Sequence, residues 1–96
     1  MRLEFSPQAR LDLLAILRFI AADKPQAAAR FAEKLELRCR LLTQFPSLGT
    51  RRDDLIPGLR VFVVRGYGIY FRNIADVVRI ERVLSPGLDV TDERFT

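Results

Sequence analysis

The chain has 96 residues, of which 49% are hydrophobic and 29% charged, and its formal net charge is +4. A chain of this length buries about 60% of its unfolded surface in one core, so we expect a single domain over residues 1–96 and exclude a second domain, a disordered chain and a collagen-like one. The positive charge favours acidic partners without by itself indicating nucleic-acid binding.

The first predicted elements are a strand and a helix. Arg2 to Phe5 alternate polar and apolar side chains, which is typical of a short strand. Ser6 offers a capping hydroxyl and Pro7 suits the first turn of a helix, so a helix is predicted from there to about Ala22. Helical spacing places one apolar stripe toward the core, formed by Ala9, Leu13, Ile16, Leu17 and Ile20.

A second helix is predicted after a short break at Asp23, Lys24 and Pro25. Asp23 can cap this helix, and the alanine run that begins at Ala27 has the highest helix propensity, so the helix should reach about Gln44. Two helices with so short a connection form an antiparallel hairpin. The inward stripe of the second helix is Ala28, Phe31, Ala32, Leu35, Cys39 and Leu42.

Both predicted helices also carry apolar side chains that point away from the core. Such surplus surface, fringed by cations, suits an acidic amphipathic segment of a partner protein. In the alternative interpretation, the aliphatic stems of the arginines cover the leucines of a free monomer. The residues predicted to bind the partner are Leu11, Leu14, Arg18, Arg30, Leu37 and Leu41, with Lys34 beside them.

Three strands are predicted after the hairpin. Phe45 and Pro46 end the second helix, and a charged loop leads to the turn signal Pro57-Gly58. The connections between the strands are short enough only for antiparallel hairpins. The expected fold is α+β, in the order β-α-α-β-β-β, with the helical hairpin packed on the sheet and the tail 86–96 either irregular or covering a sheet edge. The strands span Leu59–Arg65, Tyr67–Arg72 and Val77–Leu84.

Alternation along these strands predicts two different sheet faces. The residues expected to face the helices are Val61, Val63, Ile69, Phe71, Val78, Ile80 and Leu84. The opposite face interleaves cations with aromatic rings, which suits stacking on bases or gripping a carboxylate-bearing peptide; the alternative is an ordinary solvated face. The candidate target-binding residues on it are Arg60, Phe62, Tyr70, Arg72 and Arg79, with Glu81 among them.

Arg82 has the parity of the inward residues Ile80 and Leu84. An unpaired buried charge is costly, so either a bulge turns Arg82 outward or Arg82 pairs with a buried carboxylate such as Asp12 or Glu33. The ion pair is the preferred interpretation.

The sequence offers little for catalysis. It has no histidine, which removes the commonest general base and zinc ligand. No metal or cofactor is predicted. Acid-base catalysis by Tyr70 and Glu81, with Arg79 beside them, is disfavoured, because neither tyrosine nor arginine titrates near neutral pH. Cys39, the one cysteine, is expected to be an inert buried thiol. The protein is expected in the cytoplasm, with no membrane-spanning segment.

Arginine carries nearly all of the positive charge, since only Lys24 and Lys34 among the sixteen basic residues are lysine. Guanidinium groups recognise carboxylates and phosphates bidentately. The composition of a GC-rich genome would produce the same bias, and this origin stays open.

Several segments of the chain resemble a known toxin family. The first is Phe5-Ser6-Pro7-Gln8-Ala9, followed by the run from Asp23 to Phe31. The second runs from Pro46 through Gly58-Leu59-Arg60 to Val64, and the last two predicted strands follow it. In this order, over about residues 4–84, the segments are similar to ParE toxins of the RelE/ParE superfamily. The resemblance implies the same β-α-α-β-β-β fold.

The resemblance also implies a function. ParE toxins belong to bacterial type II toxin-antitoxin modules, poison DNA gyrase, and are neutralised by a ParD antitoxin. The expected protein is then a non-enzymatic toxin of a plasmid or chromosome stabilisation module, which arrests growth and forms a hetero-oligomer with its antitoxin. Operator DNA would be contacted only indirectly, through the antitoxin.

The RelE branch of the superfamily gives the alternative function, cleavage of mRNA on the ribosome. Its members use basic and aromatic or histidine residues near the last strand. Where many relatives have leucine-histidine-glycine, this chain has Leu84-Ser85-Pro86-Gly87, and its C-terminal aromatic residue, Phe95, has no hydroxyl. These departures favour poisoning by binding. A third interpretation is a binding module that has lost toxicity.

Overall fold

One strand, a helical hairpin and four further strands follow one another in the computed structural model, which describes residues 1–95. This order confirms the predicted α+β fold. The short strand Thr50–Arg51 is an addition, because it lies in the segment predicted as a charged loop. The elements are β1 Arg2–Phe5, α1 Pro7–Asp23, α2 Pro25–Gln44, β2 Thr50–Arg51, β3 Arg60–Val64, β4 Tyr67–Ile74 and β5 Val77–Leu84, with a 3-10 helix at Asp92–Phe95.

The strands form one five-stranded sheet in the order β1-β5-β4-β3-β2. β1 runs parallel to β5, and the other neighbouring strands are antiparallel. β1 and β2 are therefore the edge strands. Within residues 1–95, no helix has the length and apolar content needed to cross a membrane.

Ser6 fixes the start of α1 and ties it to the sheet. Its side-chain oxygen accepts a hydrogen bond from the Ala9 N–H at 3.0 Å, which confirms the predicted cap. The same hydroxyl donates to the backbone carbonyl of Glu81 at 2.7 Å. One buried side chain thus orients α1 against β5.

The break between the helices uses a different residue from the one expected. α1 runs through Asp23, and Lys24 alone separates it from α2, with extended backbone angles and no side-chain capping bond. The prediction that Asp23 caps α2 is therefore wrong. Pro25 begins α2 as expected, at a position where its missing N–H costs no helical hydrogen bond.

The main core lies between the hairpin and the sheet. Phe31 and Leu35 of α2 are fully buried there, together with Phe71 and Ile80 of the sheet. The inward stripes predicted for the helices are confirmed. Their buried members are Ala9, Ile16, Ala28, Phe31, Leu35, Cys39 and Leu42, while Leu13, Leu17 and Ile20 pack in part against the core.

The side chains of β3 point to the opposite sheet faces from those predicted. The turn Arg65-Gly66, with positive φ at both residues, sets a register that pairs Phe62 with Ile69. Directly opposed residues share a sheet face, so Phe62 points toward the helices with the buried Ile69. The prediction that Val61 and Val63 face the helices is therefore wrong. Val61 packs on the far face, and Val63 is 60% exposed.

A β-bulge changes the parity of β5 at Glu81. This extra residue lies opposite the junction of Tyr70 and Phe71 on β4. Beyond the bulge, Arg82 lies opposite Tyr70, on the face away from the helices. Leu84 packs on that far face as well, so the prediction that it faces the helices is wrong.

Arg82 also forms the predicted ion pair, and Asp12 is its partner. Arg82 Nε and Nη2 donate to the two Asp12 carboxylate oxygens at 2.7 and 2.8 Å, and Nη1 donates to the Arg94 carbonyl at 2.8 Å. Asp12 accepts a further bond from the Val83 N–H at 3.0 Å. Hydrogen bonding to Asp12 raises the pKa of Arg82. The bulge and the ion pair, considered as alternatives from the sequence, both occur.

A second apolar cluster lies on the face of the sheet away from the helices. Leu59, Tyr70 and Leu84 are buried in it. Phe95 of the C-terminal tail packs against them, with its ring centroid 5.3 Å from that of Tyr70. Val90 joins the same cluster. The tail therefore covers part of a sheet face, whereas the sequence suggested an irregular segment or a covered edge.

The ionisation of the buried Cys39 thiol provides a test of the packing of the main core. Burial, reinforced by the charge of Glu36, raises the pKa of the thiol to about 12. The native state keeps this proton where the unfolded chain has lost it, so stability should fall as the pH rises from about 9 toward about 12. Urea denaturation should show a loss for the native sequence that exceeds that of Cys39→Ala by about 1.4 kcal/mol per pH unit in this range. Parallel pH profiles for the two proteins would contradict the buried neutral thiol.

Candidate functional site

Carboxylates of the same chain neutralise the arginines on the outer sheet face, the face away from the helices. Arg72 binds Glu81 at 2.6 Å, and Arg79 binds both Glu81 and Glu4 at 3.0 Å. Only 12% of the Glu81 side chain is exposed. Because these guanidinium groups already hold carboxylates, they offer a ligand little free positive charge.

The five candidate target-binding residues do not form one surface. Arg72, Arg79 and Tyr70 lie on the outer face, as predicted, but Arg60 and Phe62 lie on the helix side. The predicted grouping of all five is therefore wrong, because the register set by the turn after β3 was not apparent from alternation alone. Their role in target binding stays a prediction.

The two misplaced residues have structural contacts. The Arg60 guanidinium donates to the backbone carbonyls of Ser47, Leu48 and Gly49, and its shortest bond is 2.6 Å. Phe62 packs edge-on against Phe71 with ring centroids 5.9 Å apart. Arg60 thus holds the segment after α2 against the sheet, and Phe62 extends the main core.

Tyr70 is on the predicted face but is only 6% exposed. Phe95 covers its ring from the tail. A ring with so little exposed surface cannot present a face for base stacking, which requires an accessible aromatic platform.

Much of the free positive charge lies on the helical hairpin, although the exposed Arg2 and Arg65 add to it elsewhere. Within residues 1–95, no ion pair joins five of its exposed cations to a carboxylate. Asp23 and Glu33 are the exposed carboxylates nearby in sequence, and Glu36 is already paired with Arg40 at 3.1 Å. The resulting field favours an anionic partner on the hairpin. The five cations are Arg10, Arg18, Arg30, Lys34 and Arg38.

Three adjoining hollows follow the hairpin. A groove of about 670 Å³ lies between β1 and α2. A hollow of about 360 Å³ along α1 shares Phe5 and Leu13 with this groove. A third hollow, of about 320 Å³ between the helices, shares Leu17 with the second. We call the three together the hairpin furrow; its apolar lining includes Leu3, Phe5, Leu13, Leu14, Leu17 and Ala32. Its cations without a carboxylate partner in the described chain are Arg2, Arg10 and Arg18, and it also holds the ion pair of Arg40 with Glu36.

Two of the six residues predicted to bind a partner line this furrow. Leu14 lies in the second hollow and Arg18 in the third. The other four are exposed elsewhere on the helices: Leu11, Arg30, Leu37 and Leu41. Their part in binding stays a prediction.

For the other residues of the furrow, the sequence predicts a place in the core or in β1 but no role in binding. Leu13 and Leu17 belong to the inward stripe of α1 and yet keep one side open to the furrow. The available signal was the run of small residues on α2, because Ala28, Ala29 and Ala32 leave space beside α1.

The acidic residues do not form a metal site in the part of the chain that the structure describes, where no three side chains of His, Cys, Asp or Glu converge. Asp53 and Asp54 instead bind Arg51 and Arg52 at 2.7 and 3.0 Å. Hydrogen bonds from these arginines lower the pKa of both carboxyl groups.

Comparison with known proteins identifies the family. Residues 3–86 match the family described as the ParE toxin of the type II toxin-antitoxin system parDE. A solved structure described as "Chromosomal ParDE TA system from P. aeruginosa" shares the fold, with a TM-score of 0.74 and 22% identity, covering 90% of this chain and 96% of that one. Comparison with curated proteins gives no match. The chain belongs to the ParE toxin family of type II toxin-antitoxin systems.

Proposed function

We propose that this ParE-family toxin arrests growth by binding DNA gyrase, and that a ParD-type antitoxin neutralises it by occupying the hairpin furrow. The match of residues 3–86 to the ParE toxin family carries the proposal. Toxin and antitoxin form a hetero-oligomer in the cytoplasm, and operator DNA is reached through the antitoxin.

The furrow supports the antitoxin part of the proposal. It combines an apolar lining with cations that no carboxylate of the described chain neutralises, such as Arg10 and Arg18. An acidic amphipathic helix matches both features, since its apolar side chains fill the hollows while its carboxylates meet the arginines.

The outer sheet face supports action by binding. Arg72 and Arg79 hold carboxylates of their own chain, and Tyr70 is covered by Phe95. Cleavage of RNA needs groups that contact a phosphate and move a proton near neutral pH. This arrangement presents no such set at the positions that sequence alternation had suggested.

A supercoiling assay with purified gyrase tests the proposed target. We expect the toxin to inhibit supercoiling or to accumulate cleaved DNA-gyrase complexes, and an excess of antitoxin to restore turnover. Translation extracts containing programmed ribosomes provide the comparison. Cleaved mRNA with unaffected gyrase would replace this proposal with the ribonuclease function, and inactivity in both assays would indicate a binding module without toxicity.

The antitoxin interface can be tested with paired substitutions on the two helices. Leu14→Ala and Arg18→Glu alter the furrow at exposed positions, and each should weaken antitoxin binding by about tenfold or more, as expected for central interface residues. Leu37→Ala and Arg30→Glu are matched changes on the outer side of α2, where we expect less than about a threefold loss. Titration calorimetry measures all four. Larger losses for the α2 pair would move the interface out of the furrow.

A further inference from the structure

In the part of the chain that the structure describes, β1 has one edge without a neighbouring strand. It ends the sheet and pairs with β5 alone. The N–H groups of Arg2 and Ser6 donate toward β5, at 2.8 and 2.9 Å. Backbone groups of successive residues point to opposite sides of a strand. The N–H and C=O groups of Leu3 and Phe5 therefore point away from β5, toward the free edge.

This free edge borders the largest hollow of the hairpin furrow. Leu3 and Phe5 line the groove of about 670 Å³, which also carries Arg2 and the ion pair of Arg40 with Glu36. An edge strand is a ready template for another strand, because its outward backbone groups lack strand partners. Backbone hydrogen-bonding groups, apolar surface and positive charge thus meet in one place.

We propose that an extended segment of the antitoxin pairs with the free edge of β1 and adds a strand to the sheet. The inference rests on the proposed function, since it states how that antitoxin binds. Backbone hydrogen bonds to Leu3 and Phe5 fix the segment, its apolar side chains enter the groove, and its carboxylates face Arg2. The groove shares Phe5 and Leu13 with the hollow along α1, so one continuous chain can occupy both.

Charge distinguishes this occupant from a second copy of the toxin. Pairing two β1 edges would bring the Arg2 side chains of the two copies together, while Arg40 of each copy is already paired with Glu36. Like charges brought together oppose association, whereas an acidic segment is attracted to the same place.

A proline substitution isolates the backbone contact. Leu3→Pro removes an N–H that points away from β5, at an edge position where proline is tolerated. Leu3→Ala shortens the side chain but keeps this N–H, and serves as the matched control. We expect Leu3→Pro to bind the cognate antitoxin at least about tenfold more weakly than Leu3→Ala, while circular dichroism shows both to be folded. Equal affinities would overturn the added strand.

Amide hydrogen exchange of the wild-type toxin tests the same contact if the proline variant does not fold. The Leu3 and Phe5 amides should exchange at least about tenfold more slowly in the antitoxin complex, whereas the Ser6 amide, bonded toward β5, should be protected in both states. Unchanged exchange in a complex that forms would overturn the strand and leave the proposed function standing. An antitoxin that does not bind would overturn both, and concentration-dependent protection in the free toxin would assign the edge to a second copy.

Discussion

Asp12→Ala should lower the free energy of unfolding by about 3 kcal/mol, because removing one partner of a buried ion pair leaves the other charge without compensation. The side chains of Arg82 and Asp12 are 18% and 14% exposed, which places the loss near the lower end of the range for such pairs. The substitution also takes away the acceptor of the Val83 N–H. Urea denaturation of the purified protein measures the change.

Two controls separate this ion pair from a general effect on α1. Asp23→Ala removes an exposed carboxylate at the other end of the same helix and should change stability by less than about 0.5 kcal/mol. Combining Asp12→Ala with Arg82→Met removes both charges, so the double variant should be more stable than Asp12→Ala alone. A loss for Asp12→Ala no greater than that for Asp23→Ala would show that the pair contributes nothing.

Gly49→Ala should also cost about 3 kcal/mol, for a reason confined to the backbone. Gly49 has a φ of +86°, and an added Cβ would lie 2.5 Å from the Val61 carbonyl oxygen. The backbone must shift to relieve this contact, which disturbs the pairing of β2 with β3. Thermal and urea denaturation should both report the loss.

Gly58 and Gly87 provide matched controls for this substitution. Their φ values are +81° and +83°, but nothing lies within 4 Å of an added Cβ at either position. Gly58→Ala and Gly87→Ala should therefore cost only the conformational strain, about 1 kcal/mol each. If all three variants lost the same stability, the close approach to Val61 would be energetically irrelevant.

The helices were predictable because their signals are local. Ser6 and Pro7 mark the start of α1, and the 3.6-residue spacing from Phe31 to Leu42 identifies the buried face of α2. The errors occurred in the sheet, where side-chain direction depends on register between strands. The turn Arg65-Gly66 set the parity of β3, and the extra residue Glu81 reversed that of β5.

The candidate site was less predictable than the fold. Exposed residues such as Leu14 and Arg18 were recognisable from helical spacing, but the furrow beside them is formed between elements far apart in sequence. Phe5 and Ala32 contribute to it only because β1 lies at the sheet edge under the hairpin. The arginines of the outer face were misleading for a similar reason, since Glu4 reaches Arg79 only through the pairing of β1 with β5.

The parallel pairing of β1 with β5 also determines when a newly made chain can complete its fold. Ser6, next to the first strand, bonds to a carbonyl 75 positions further along the chain. Contacts so distant in sequence form late, after the chain between them has been synthesised. A nascent chain still held by the ribosome before β5 emerges therefore lacks a completed sheet. β1 can join the sheet only after β5 has been synthesised.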